Sequence, residues 1–338
     1  MRNILVVSVN WLGDVVFSTP VFRALKNAYP AARVSALAVG RVKEVLELCP
    51  DVDEVVVQDE GRGFLGAMAA IPVSFSLRAR KFDAVFMLRP SLSRTFMAWS
   101  AGIPVRAGFP SAPWTFLLTH VADDTGCDLI HRSDVYLRVV EAFGVKVKDR
   151  SCRLEVGREA RESVLTKLRV HGATGDQRLV VIHTGGNWEL KQWPEGAFAD
   201  LTGRLTREVG VKVVLSGGPS DVDRVRRIAA LSGVDPVILA GTTTLKEMAA
   251  LFKMAHVVIS ADSGPLHVAS AVGANVLGLF GPTDPDITGP RGQGRIKVLR
   301  RDTRCNRAPC YYLECADNTC MKSLTVDDVI QTFKILKS

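Results

Sequence analysis

Residues 257–285 read VVISADSGPLHVASAVGANVLGLFGPTDP, and the reading of this stretch decides the fold. Val257 to Ser260 form a short run without polar alternation, the pattern of a strand buried on both faces of a parallel sheet. The chain turns through Ala261-Asp262-Ser263-Gly264 and meets Pro265, which suits a first helical turn because its missing N–H would have no partner there. Leu266, Ala269 and Val272 follow at helical spacing, and Gly273 stops the run. Val276 to Phe280 is a second buried strand, ending in the loop Gly281-Pro282-Thr283-Asp284-Pro285. The helix start has two possible uses. Its unpaired N–H groups can hold an anion, phosphate above all, or Asp262 or Ser263 can cap them from within the chain.

Outward from this unit the same alternation runs through the chain. On its N-terminal side lie strands Leu179–His183, Val211–Leu215 and Val237–Leu239, with helices Pro194–Val209, Pro219–Leu231 and Leu245–Lys253 between them. The first half gives strands Ile4–Val9, Val34–Val39, Val55–Val57 and Ala84–Leu88. Its helices are Ser18–Ala28, Arg41–Leu48, Pro72–Lys81, Ser91–Ala101 and His131–Phe143, and Gly61–Ala70 reads as a loop or weak helix. The pattern fades between Lys146 and Gln177, apart from a helix over Gly157–Arg169, and the domain boundary is expected there. Thr325 to Leu336 forms a last helix, with Thr325 as N-cap and Asp327 and Asp328 in its first turn. The fold class is therefore α/β, with two Rossmann-like doubly wound domains, 1–155 and 156–322, and a terminal helix in 323–338. Two such domains facing a central cleft would bind ligands at the carboxyl ends of their strands.

Three loops at strand ends carry reactive groups. In Asn10-Trp11-Leu12-Gly13-Asp14, the Asp14 carboxylate can take a proton from a hydroxyl as a bond forms, or can cap the next helix. In His183-Thr184-Gly185-Gly186, small residues let backbone approach a phosphate, and Lys191 downstream supplies a compact positive charge. In the opening stretch, Asp262, Ser263, Gly264 and His267 gather at one helix start, although a lone histidine of this kind is more often structural. Neither a dinucleotide fingerprint nor a Walker loop is present, which argues against NAD and ATPase chemistry.

Of 338 residues 47% are hydrophobic and 23% charged, the balance of a globular protein large enough for two domains. No apolar run reaches the roughly eighteen residues of a membrane span, no signal peptide is expected, and the expected location is cytoplasmic. The net charge of +8 favours anionic partners. No zinc-finger spacing, RNA-binding aromatic strand or long basic helix accompanies it, so small anions or lipid headgroups fit better than nucleic acid. Cys49, Cys127 and Cys152 are isolated. Cys305, Cys310, Cys315 and Cys320 recur every five residues; no metal is expected, and a four-thiolate site on these cysteines is the alternative.

Four motifs follow one another in order: Asn10-Trp11-Leu12-Gly13-Asp14 with Ser18-x-Pro20, Lys191-Gln192-Trp193-Pro194, Asp262-Ser263-Gly264-Pro265-Leu266-His267 and Gly281-Pro282-Thr283-Asp284-Pro285. Together they resemble the lipopolysaccharide heptosyltransferases of glycosyltransferase family nine. Leu88-Arg89-Pro90-Ser91, Ala101-Gly102-Ile103-Pro104-x-Arg106-x-Gly108 and His131 to Tyr136 are similar to the heptosyltransferase II branch. The chain departs from relatives at Thr184-Gly185-Gly186, where Pro-Gly-Ala is common, and at Ser263, where Thr is common.

The resemblance implies a GT-B fold with an N-terminal acceptor domain, a C-terminal domain for the ADP-sugar, and a last helix packing back towards the N-terminal domain. It implies an inverting transfer of L-glycero-D-manno-heptose from ADP-heptose, the donor substrate, to the inner core of lipopolysaccharide, with no cofactor required. Asp14 would be the base and Lys191 would neutralise the leaving diphosphate with the N–H groups of Ser263 and Gly264. Thr184 and Gly185 would line the opposite wall, while Asp262 and His267 would contact the heptose or order the phosphate loop. Asn10, Arg89, Arg94 and Arg106 are the acceptor-side candidates, since guanidinium groups suit carboxylates and phosphates. Arg62, Arg78, Arg80 and Lys81 flank the apolar stretch Phe64–Leu77, which is either a solvated surface or a transient contact with the inner face of the cytoplasmic membrane. Arg291, Arg295, Lys297, Arg300, Arg301 and Arg304 read as a solvated face, and the expected state is a monomer. The alternatives are a related GT-B transferase using another nucleotide sugar or glycan acceptor, and a nucleotide-binding module without catalysis.

Overall fold

The computed structural model describes every residue except 59–72, 174–176, 187, 304, 306–308, 311–313 and 338. The chain packs as two units, Met1–Arg153 and Leu154–Ser338. In the first, β1 (Asn3–Val7), β2 (Arg33–Ala38), β3 (Glu54–Val57), β4 (Ala84–Met87), β5 (Val105–Gly108) and β6 (His120–Val121) form one sheet ordered β3-β2-β1-β4-β5-β6. Every pairing in it is parallel. Its helices are α1 (Leu12–Ala28), α2 (Lys43–Glu47), α3 (73–79), α4 (Leu92–Ser100) and α5 (Arg132–Glu141).

In the second unit, β7 (Leu179–His183), β8 (Lys212–Ser216), β9 (Val237–Ile238), β10 (Val257–Ala261), β11 (Val276–Phe280) and β12 (Ile296–Arg300) are again all parallel, in the order β12-β11-β10-β7-β8-β9. Its helices are α6 (Arg158–Val170), α7 (Glu195–Arg204), α8 (Val222–Leu231), α9 (Leu245–Met254), α10 (Gly264–Ala271), α11 (Pro285–Thr288), α12 (Thr319–Lys322) and α13 (Val326–Lys337). Counted from its own first strand, each sheet has the doubly wound order 3-2-1-4-5-6, so the strand direction of travel reverses between β1 and β4 and between β7 and β10. The crevice outside those paired carboxyl ends is where such sheets bind ligands.

The central strands are continuous apolar runs because helices cover both of their faces. Ile4 to Val7, Val180 to Ile182 and Val257 to Ile259 are all essentially inaccessible to water. In the second unit the core closes around fully buried Trp193, whose ring meets Phe198 edge-on at 5.1 Å and whose indole N–H donates to the Leu324 carbonyl at 3.0 Å. Burying a Phe-sized side chain contributes roughly 1.5–3 kcal/mol, so this cluster fixes the backbone on either side of Trp193 firmly. The last helix joins this packing: α13 gives Val329, Ile330, Phe333 and Leu336 to that core. Thr325 caps it as expected, its hydroxyl accepting from the Asp328 N–H at 3.2 Å.

Several sequence expectations are corrected. The first helix starts at Leu12, not Ser18, and runs through Pro20. Pro20 has no N–H for the Val16 carbonyl, and the Thr19 hydroxyl takes that carbonyl instead at 2.8 Å. Three strands were not legible. Val105–Gly108 carries a charge and a glycine, His120–Val121 has two residues, and Ile296–Arg300 lies at a sheet edge inside the cationic cluster. Within that cluster Arg295, Lys297 and Arg301 are exposed, as expected of a solvated face, and three of its arginines also have partners. Arg300 pairs with Asp284 at 3.5 Å, Arg301 pairs with Asp328, and Arg295 donates to the Leu336 carbonyl, tying the edge strand to its neighbours. The helix expected over Pro194–Val209 is α7 followed by a π-helical turn, Leu205–Val209, that closes on Gly210 at φ +70°. Gly61–Ala70, Arg62, the first residues of Phe64–Leu77, Pro72 and Arg304 lie outside the described residues.

Candidate functional site

In the first unit the loop after β1 is clamped before it enters α1. The Asn10 carbonyl accepts from Arg41 Nε at 2.9 Å, its side-chain oxygen accepts from Arg94 at 3.3 Å, and Arg94 also donates to the Ser8 carbonyl at 3.0 Å. Arg41 lies over the Trp11 ring, 5.0 Å from its centroid. This fixes Asp14 in the first turn of α1, where a carboxylate suits the helix dipole. Asp14 caps nothing. Its Oδ1 accepts from the Tyr136 hydroxyl on α5 at 2.9 Å, and its other oxygen makes no hydrogen bond among the described residues. Burial first, then the charge and hydrogen bond of Asp14, push the Tyr136 phenol well above its ordinary pKa, so it remains a donor.

Asp14 and Tyr136 open into a cavity of about 440 Å³, also lined by Trp11, Arg89, Phe109 and Arg132. Arg89, expected on the acceptor side, lies two residues past β4 and lines this cavity. Arg94 holds the loop, as described, and Arg106 is held by the carbonyls of Leu117 and Ile103, each at 2.6 Å, and Pro104. Neither lines this cavity. Arg132 and Tyr136 were not singled out, although both fall in the His131–Tyr136 segment that carried part of the resemblance.

In the second unit the sites after β7 and β10 come together. Lys191 Nζ donates to Asp262 Oδ2 at 2.6 Å, and the Thr283 hydroxyl donates to the same oxygen at 2.6 Å. His267 Nε2 lies 3.4 Å from Oδ1. Asp262 is 3% exposed. Burial alone would raise its carboxyl, but the His267 hydrogen bond and the Lys191 charge outweigh it and hold the group well below the usual carboxylate range. Trp188 covers the ammonium of Lys191, 5.2 Å from the ring centroid.

The capping alternative fails here. Ser263 is the N-cap of α10 but makes no side-chain cap bond, and Asp262 is turned to Lys191, Thr283 and His267. The N–H groups of Ser263 and Gly264 thus have no acceptor among the described residues, while Pro265 has no N–H and the Leu266 N–H turns back to the Ser263 carbonyl at 3.1 Å. Helix starts of this kind attract anions.

Across from it, the Thr184 hydroxyl is buried without a hydrogen-bond partner among the described residues. A side chain on Gly185 would displace the Asp221 carboxylate, so glycine here lets that carboxylate and the backbone come close. His183 is fully buried against Ser216, 3.2 Å from Nδ1, and burial lowers its pKa from 6.5 to about 4, so it is neutral. The Lys191 loop is pinned by residues sequence reasoning missed. Arg224 donates to the Gln192 side chain and to the Trp193 carbonyl, and Gln192 donates to the Gly186 carbonyl at 2.7 Å. Thr283 was quoted only as part of a loop, and its role shows once β11 is laid beside β10. The cysteines Cys305, Cys310, Cys315 and Cys320 are free thiols, and among the described residues no group of three or more His, Cys, Asp or Glu is placed to hold a metal.

Comparison with known proteins gives a consistent picture. The glycosyltransferase family 9 (heptosyltransferase) model matches residues 73–316. Lipopolysaccharide heptosyltransferase 2 of Salmonella typhimurium is 27% identical over 310 residues, covering 88% of both chains. Lipopolysaccharide heptosyltransferase 3 of Escherichia coli is 27% identical over 290 residues, 80% of each. Among solved structures, a family 9 glycosyl transferase from Veillonella parvula superposes with a TM-score of 0.87 at 26% identity, covering 99% of this chain and 97% of that one. The E. coli ADP-heptose heptosyltransferase II gives 0.81 at 22% identity over 100% and 98%. The fold is the GT-B one that the motifs implied.

Proposed function

The chain belongs to glycosyltransferase family 9, the heptosyltransferases, and on that premise we propose that it moves L-glycero-D-manno-heptose from ADP-heptose to the inner core of lipopolysaccharide with inversion. Asp14 takes the proton of an acceptor hydroxyl as that oxygen attacks the anomeric carbon. The bond from this carbon to the diphosphate breaks, its electron pair stays on the phosphate oxygen, and ADP leaves. Tyr136 keeps the Asp14 carboxylate oriented by donating to one oxygen, leaving the other for the substrate. Arg89 and Arg132 meet acidic groups of the acceptor.

Lys191 and the N–H groups of Ser263 and Gly264 take up the charge that develops on the leaving diphosphate. Preorganised donors of this sort lower such barriers by about 3–4 kcal/mol each in a dry site. Asp262 orients Lys191 and is itself steadied by Thr283 and His267. Thr184 and Gly185 line the donor side with a free hydroxyl and close backbone. The observation that carries this reading is the uncapped start of α10 beside a lysine held 2.6 Å from a buried aspartate.

Incubating the protein with ADP-heptose, UDP-sugars and GDP-sugars and measuring nucleoside diphosphate release tests the donor. ADP-heptose should be turned over in preference to the others. A preference for UDP- or GDP-sugars would overturn the assignment.

A further inference from the structure

Helix α4 is apolar on two opposite sides. Thr95, Met97 and Ala98 face the core of the first unit, while Leu92, Phe96 and Trp99, at positions i, i+4 and i+7, form a second stripe. Trp99 is 49% exposed. Its neighbour Phe96 lies 5.7 Å from Trp99 and 5.3 Å from Trp114, centroid to centroid, so three rings run in a row. Phe116, two residues beyond Trp114, is 76% exposed, and Phe75 on α3 is 67% exposed. Helices α3 and α4 are joined through Ser74, which accepts from the Ser100 hydroxyl at 2.9 Å. A helix with a second apolar stripe, continued by exposed rings on its neighbours, marks an interaction surface.

The charge along the segment that carries these rings is one-sided, though Arg80 is paired with Glu54 at 2.7 Å. Residues 73–121 contain Arg78, Arg80, Lys81, Arg89, Arg94 and Arg106 but a single carboxylate, Asp83. That carboxylate is occupied by the backbone N–H groups of Arg2 and Asn3. Arg78, one helical turn from Phe75, and Lys81 are exposed and have no side-chain partner among the described residues. Tryptophan and phenylalanine beside unpaired cations suit the boundary layer of an anionic bilayer. Rings settle at headgroup depth and cations meet lipid phosphates.

We propose that the face formed by Phe75, Leu92, Phe96, Trp99, Trp114 and Phe116, with Arg78 and Lys81 beside it, docks on the surface of an anionic phospholipid bilayer. The proposal rests on the functional reading in one respect: a lipid-linked acceptor gives the docking its purpose.

Flotation of the full chain with vesicles tests it without requiring turnover. Vesicles of phosphatidylethanolamine and phosphatidylglycerol should carry the protein, and neutral phosphatidylcholine vesicles should carry far less. The pair Trp99→Ala/Phe116→Ala should weaken the partition about tenfold or more. Arg78→Glu/Lys81→Glu should weaken it too and abolish its dependence on the anionic lipid. Both variants should release ADP from ADP-heptose with a delipidated acceptor as the parent chain does. Vesicle binding that is indifferent to both variants, or equal on neutral lipid, would overturn the proposal. So would a dimer in sedimentation that the Trp99 and Phe116 changes dissociate, because the face would then belong to self-association. Failure to turn over ADP-heptose would count against the reaction, not against docking.

Discussion

Each unit presents an aspartate past a central strand of its sheet, Asp14 after the first strand of one and Asp262 after the fourth strand of the other, and the two have opposite surroundings. Asp14 follows β1 and accepts one hydrogen bond, from a neutral phenol, at the wall of an open cavity. Asp262 follows β10 and is 3% exposed, with Lys191, Thr283 and His267 around both of its oxygens. The first has an oxygen left to take a proton. The second has none, and its depressed pKa makes it a poor proton acceptor. Residue type and position in the fold therefore do not assign the chemistry; the count of partners already in place does.

The contrast can be broken at four points. Asp14→Asn keeps the shape and an acceptor for Tyr136 but removes the base, so turnover should fall about 10²–10⁴-fold with ADP binding retained by calorimetry. Lys191→Ala should lower kcat about 10²–10³-fold and weaken ADP binding as well, as its proposed role at the leaving diphosphate requires; an unchanged ADP affinity would remove Lys191 from that site. Tyr136→Phe should lower kcat about tenfold with little change in KM, the scale of one hydrogen bond to a charged group. An unchanged kcat would show that the phenol is not needed to orient Asp14.

The smallest effect is on stability. Buried His183 has its pKa lowered to about 4 from 6.5, so the unfolded chain takes up a proton first as the pH falls. The stability that His183 provides is complete above pH 6.5 and is lost progressively towards pH 4, amounting to about 1 kcal/mol already at pH 6. Urea unfolding of the parent chain and His183→Gln at pH 7 and pH 6 should show a smaller decrease in the variant. Equal decreases would mean that the imidazole is not kept neutral.

Much of the fold was legible because its strands declare themselves. β7 and β11 are buried five-residue strands, apolar but for His183, that end at glycine-bearing loops, and both were placed to the residue. The strands that escaped were a two-residue bridge, β6, and two edge or near-edge strands with charges, β5 and β12, where half-exposed backbone tolerates polar residues. Of the site, the loops and the groups on them could be read, since Asp14, Lys191 and Asp262 each sit just past a buried strand. Their partners could not. Tyr136 is 122 residues from Asp14 and sits on an amphipathic helix where an aromatic ring reads as core. Arg224 reaches the Lys191 loop from α8, 31 residues from the Trp193 carbonyl it holds. Such pairings are made by the packing of α1 on α5 and of α7 on α8, and nothing local in the sequence encodes them.

The central claim is that one aspartate reacts while the other braces, and a single paired measurement tests it: thermal unfolding and ADP-heptose turnover of Asp14→Asn and Asp262→Asn side by side. Asp14→Asn should unfold within about a degree or two of the parent chain and be nearly inactive. Asp262→Asn should leave the Lys191 ammonium without its buried counter-charge, costing about 3–5 kcal/mol and lowering the Tm by roughly 10 °C. Full turnover in Asp14→Asn, or an undiminished Tm in Asp262→Asn, would contradict the assignment of those two roles.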